Sequence, residues 1–143
     1  MTPSQTAVLW PGFALAGLTF AVMAEMYRRR FRQMRQERIA PEAVATSVQS
    51  AQRLTDSAAS DNFRNLLELP VLFYVALLLA HATGQASTDI LVLAWSFVAL
   101  RVTHSTIQCI GNRVVPRFIV FISGAVVLLV LWARLALGVF AHV

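Results

Sequence analysis

The sequence predicts an all-α membrane protein in which four transmembrane helices pack as one bundle. Three observations carry that expectation. Hydrophobic residues fill 57% of the 143 positions and charged residues only 13%, with a mean hydropathy of +0.64, a balance suited to a bilayer rather than to water. Four segments reach the roughly 20 apolar residues that cross a hydrocarbon core about 30 Å thick at about 1.5 Å per residue. The twelve cationic residues are all Arg, and eight of them lie in the connections between those segments.

The first span covers residues 7–27, Ala7 to Tyr27. Basic residues do not precede it, and Arg28, Arg29 and Arg30 follow it directly, so it reads as a retained anchor rather than a cleaved signal peptide. Residues 28–62 form the one segment that resembles a soluble region, with the stretches RRRFRQMRQERIAPE and TSVQSAQRLTDSAASDN. The second span, residues 63–82, joins a polar start, FRNLLE, to the apolar run LPVLFYVALLLA. Asp56 or Asp61 is expected to cap its beginning, and Pro70, which has no amide hydrogen, to kink it just beyond Glu68. The third span covers residues 90–110 and the fourth residues 116–140. The whole chain, residues 1–143, is read as one transmembrane domain.

Orientation follows from the arginines. Eight of the twelve lie between Arg28 and Arg64, the turn ATGQASTD has none, and the turn GNRVVPR has two. Cationic loops stay in the cytoplasm, which places the loop 28–62 and the third connection there and both termini on the other side. The same cluster attracts anionic lipid headgroups. Because it abuts an apolar segment, it is read as a membrane feature, and no nucleic-acid partner is expected. Cys109 is the single cysteine; it excludes an intramolecular disulfide framework and reads as a small packing residue.

Ionisable side chains inside a bilayer cost on the order of 2.5 to 3.5 kcal/mol each near a helix centre, so each needs a partner or a wet cavity. Arg101 sits in the middle of the third span. At about 100° per residue, Arg101, His104, Ser105, Gln108 and Asn112 share an arc of roughly 100°. Counted from the common cytoplasmic boundary, Arg64, Asn65 and Glu68 lie near enough in depth to meet this face. Glu68 is expected to pair with Arg64 on its own helix or with Arg101 across helices. Arg117, next to Pro116, joins the same end of the bundle. Arg134 lies near the far end of the fourth span and is read as a snorkelling anchor. An excess of buried cation over anion points to an anionic ligand, most simply a carboxylate gripped by Arg. The alternative is a polar network that only fixes helix register. His104 lacks a second ligand at metal spacing on its helix, so no metal is expected.

Three stretches in this order, RNLLELP at Arg64 to Pro70, RVTHS at Arg101 to Ser105 and NRVVPR at Asn112 to Arg117, resemble the MAPEG family, membrane-associated proteins in eicosanoid and glutathione metabolism, in its bacterial-type form. The likeness covers nearly the whole chain. It implies a homotrimer, here in a bacterial inner membrane, with glutathione as substrate between subunits near the cytoplasmic face. Arg64, Asn65, Glu68, His104 and Arg117 fall on glutathione-contacting positions, and one Arg of the 28–35 run, taken as Arg32, supplies a further contact; Arg101 and Gln108 complete the expected binding set. Three departures alter the chemistry implied: Gln108 stands where eicosanoid-type members carry a Tyr, Phe121 replaces a second Tyr, and Phe118 replaces a Ser proposed to be catalytic. Thiolate stabilisation then falls to Arg117 with help from Ser105. The expected activity is glutathione transfer to a lipophilic electrophile, or reduction of a lipid hydroperoxide, with the second substrate arriving through the membrane. A non-catalytic membrane protein that binds or transports a small anion or a lipid headgroup is the alternative.

Overall fold

A computed structural model describes residues 5–140. A short 3-10 turn, Gln5–Leu9, leads into α1, Trp10–Glu37; after a second such turn at Pro41–Val44 come α2, Ser47–Arg53, α3, Ala58–Leu66, α4, Leu69–Ala82, α5, Thr88–Ile110, and α6, Val114–Phe140. There is no strand among the described residues. Among the described residues four helical stretches are long and apolar enough to cross a membrane: Gln5–Glu37, Ala58–Ala82, Thr88–Ile110 and Val114–Phe140. The expected all-helical, four-span architecture is therefore what the chain adopts.

Local chemistry sets most of the boundaries. Pro11 sits in the first turn of α1, where its missing amide hydrogen has no partner to lose. α1 runs ten residues past Tyr27 because RRRFRQMRQE is made almost wholly of residues that tolerate or favour a helix. It stops at Arg38, whose left-handed conformation (φ 53°) turns the next amide, that of Ile39, back to the Met34 carbonyl at 2.9 Å. α2 opens on a capping box between Thr46 and Gln49. Much of the polar segment 28–62 is therefore helical, and it folds back on the α1 extension. Arg30 donates to the Val44 carbonyl at 2.8 Å and to Ser50 Oγ at 2.7 Å.

The second span is broken as Pro70 requires, and the break lies at Leu67 and Glu68. The Leu67 amide bonds to the Arg64 carbonyl and the Val71 amide to the Glu68 carbonyl, both shorter-range than an α-helical bond. Neither Asp56 nor Asp61 caps this span. Ser57 occupies the cap position without a side-chain bond, and Asp61 is inside the first turn. Asp56 turns instead toward Arg29, at 3.4 Å.

The core runs along the bundle axis. Phe73 and Phe97 stack at 4.6 Å between ring centres, surrounded by Leu15, Leu66, Leu77, Leu128, Leu131 and Leu135, all buried. α5 and α6 form the most extensive helix pair. Phe13, Phe20, Leu78, Val92, Phe118, Ile119 and Leu129 face outward, each at least half exposed. A continuous apolar exterior over a packed core is what a lipid solvent calls for.

Candidate functional site

The polar face expected on the third span exists and is buried. Arg101, His104, Ser105 and Gln108 on α5 are all turned into the bundle, while Asn112 lies beyond the helix in a left-handed turn. Two Asn side chains of α3 meet this face. Asn65 donates to Gln108 Oε1 at 3.3 Å. Asn62 is wholly buried, accepts from Ser105 Oγ at 3.2 Å and donates to Cys109 Sγ at 3.4 Å. Asn62 escaped the sequence reading because it fell in a segment taken for loop. Its spacing of three from Asn65, which puts both on one helical face, was the available signal.

Arg101 sits deeper and differs in kind. It is 1% exposed, and its guanidinium is flanked by the rings of Phe97, at 5.0 Å, and Phe121, at 4.8 Å. Gly124 of α6 makes the space, since a Cβ there would lie 3.1 Å from Arg101 Nη2. The ring of His104 tilts against Phe121 at 5.8 Å. Ring faces attract a guanidinium, but Nε, Nη1 and Nη2 of Arg101 all lack a hydrogen-bond partner among the described residues. A desolvated cation without an acceptor is among the costliest groups a fold can hold.

The remaining expected site residues are not drawn to Arg101 within one chain. Glu68 lies exposed at the helix break and pairs with neither Arg64 nor Arg101. Glu68 departs from helical geometry (φ −95°, ψ −94°), so the i, i+4 register that an unbroken helix would give it with Arg64 is lost. Arg64 is 72% exposed and reaches only Asp61, at 3.9 Å. It borders a polar recess between α1, α2 and α3, together with Arg30, Ser47, Ser50, Ser60 and Asp61. Arg117, half-buried, donates to Asn112 Oδ1. Arg32 is exposed and shares no hydrogen bond or ion pair with any of these groups. Arg29 acts as a structural tie instead, donating to Glu25 at 2.6 Å and to the Cys109 carbonyl at 2.8 Å. Arg134 is more than a snorkelling anchor, because it grips Asp89 at 2.8 and 2.5 Å and joins α6 to the start of α5.

One chain thus offers a buried set, Arg101, His104, Ser105 and Gln108, edged by the half-buried Asn65, and an outward set, Arg64 and Glu68, with Arg117 between them at the end of the bundle that carries the arginine-rich loop. Within one chain the unused donors of Arg101 are enclosed by Phe97, Phe121 and Gly124, whereas Arg117, half-buried nearer the surface, can hold an anionic group. The model of the MAPEG family matches this chain over residues 8–137, a stretch that contains every residue just named. No curated protein and no solved structure matches it.

Proposed function

The chain belongs to the MAPEG family, and from that premise we propose that this integral membrane protein, one of a family concerned with eicosanoid and glutathione metabolism, binds glutathione and activates its thiol. The observation that carries the reading is the fully buried guanidinium of Arg101 with three donor nitrogens unused. A bilayer tolerates such a group at high cost, and a docked carboxylate relieves it.

In this reading Arg101 takes an anionic group of the tripeptide, while Asn65, His104 and Gln108 line the polar wall beside it. Arg117, nearer the surface and half-buried, supplies the positive charge that lowers the thiol pKa and favours the thiolate nucleophile. Arg64 and Glu68 point outward from their own chain and suit a site completed by a second copy, as in a homotrimer. The thiolate then forms a C–S bond to a lipophilic electrophile, whose π pair or leaving group takes the displaced electrons and a proton. Alternatively, two glutathiones are oxidised to the disulfide as a lipid hydroperoxide is reduced to the alcohol and water. Either second substrate reaches the site from the membrane.

Ser105 favours a second reading. Its hydroxyl donates to Asn62 inside the helix interface, so it is occupied in packing rather than free to assist a thiolate. That suits a protein that binds or transports a small anion or a lipid headgroup without chemistry.

Calorimetric titration of the detergent-purified protein with glutathione tests the binding claim. Saturable heat at millimolar ligand or below supports it, and its absence removes it. Ultraviolet absorbance of thiolate on mixing separates the two readings, since only the activating protein generates it.

A further inference from the structure

We propose that the outward stripe of α1 beyond Tyr27, centred on Arg32 and Arg35, is a binding surface for the phosphate groups of anionic phospholipid. The inference assigns to lipid the Arg32 that the family likeness gave to glutathione, leaves the rest of the glutathione site untouched, and rests on how the structure divides the arginine run.

Two members of that run face inward and are used. Arg29 is tied to Glu25, Asp56 and the Cys109 carbonyl, and Arg30 to Val44 and Ser50. Arg32 and Arg35 are exposed and meet no acceptor among the described residues. With Arg28, whose side chain is 62% exposed, they fall within an arc of about 60° on one side of the helix. Glu25, the acid at the membrane end of this stripe, is already held by Arg28 and Arg29. The stripe is therefore cationic without an internal counter-charge at Arg32 or Arg35.

Its height fits lipid headgroups. At about 1.5 Å per residue, Arg32 stands roughly 7 Å and Arg35 roughly 12 Å past Tyr27. The headgroup layer extends about 5 to 7 Å beyond the hydrocarbon on each side, and charge is felt for about 8 Å further at physiological salt. Phe31, 59% exposed, stacks on Tyr27 at 6.1 Å beside these cations, and aromatic rings favour that same layer. A shallow groove alongside is lined by Arg28, Arg32, Gln36 and Thr55, whose N–H and O–H donors suit phosphate oxygens, and by two acids, Asp56, already held by Arg29, and Glu37, which accepts from Gln33. Anionic lipid meets the charge, the aromatic pair and the height together.

The experiment measures selectivity for spin-labelled phosphatidylglycerol over spin-labelled phosphatidylcholine by the full-length protein in bilayers. The native protein is expected to immobilise the anionic label about threefold or more in preference at low salt, the preference shrinking as salt rises. Arg32→Gln/Arg35→Gln should bring it near parity. Arg38→Gln/Arg53→Gln, which removes equal charge farther from the bilayer or off the stripe, should leave most of it. Unchanged melting of both variants shows that folding is intact. Parity in the native protein, or equal losses in the two variants, would overturn the proposal. So would efficient cross-linking of Phe31→Cys between copies, which would place a second chain on the stripe, or binding of a DNA duplex that only the stripe variant loses.

Discussion

Gly124 and Arg101 occupy one volume, and substitution at the glycine measures how tightly. Gly124→Ala puts a methyl group 3.1 Å from Nη2 of an enclosed guanidinium, which should cost about 1–3 kcal/mol as overpacking does elsewhere and lower the melting temperature in detergent. Gly17 is the control. Nothing lies within 4 Å of its added Cβ, so Gly17→Ala should be neutral or raise stability by up to about 1 kcal/mol. Asn62→Ala removes a buried partner from both Ser105 and Cys109 and should cost about 1–3 kcal/mol. At this scale the sequence told which face of α5 is polar, because helical periodicity alone fixes that. It did not tell what Arg101 faces, since Phe121 and Gly124 arrive from a different helix and only packing brings them near. The pairing expected of Glu68 failed for a local reason: the break ahead of Pro70 reorients it.

Among the elements, the four spans were legible because hydropathy and length dominate in lipid, and the helical continuation past Tyr27 was not, because polarity was read as loop. The break between α3 and α4 yields a prediction of its own. Pro70 lies in the first turn of α4, where a missing amide has no partner to lose, so Pro70→Ala should lower stability by up to about 1 kcal/mol by freeing the unfolded chain, observable as an equal or lower melting temperature. If the outward placement of Glu68 serves the ligand, the same variant should bind glutathione more weakly by calorimetry. At the opposite end, Asp89 and Arg134 are 44% and 51% exposed, so Asp89→Asn should cost at most about 1 kcal/mol. The loss should shrink further in high salt.

For the whole molecule, the apolar exterior commits the chain to a membrane, and we propose from the arginine distribution that the loop 28–62 and the third connection face the cytoplasm. With Cys109 replaced by Ala, Arg35→Cys should resist an impermeant maleimide applied to intact cells, whereas Thr83→Cys should react. The opposite pattern would invert the orientation.

The central claim is that a cation with no acceptor among the described residues is retained in the bundle because a ligand docks on it. Thermal unfolding of Arg101→Met, with and without glutathione, tests this most directly. Removing an unpaired buried charge should make the ligand-free protein more stable by about 1–3 kcal/mol, while glutathione, which should raise the melting temperature of the native protein, should no longer raise that of the variant. A variant that melts lower and still gains stability from glutathione would contradict the account.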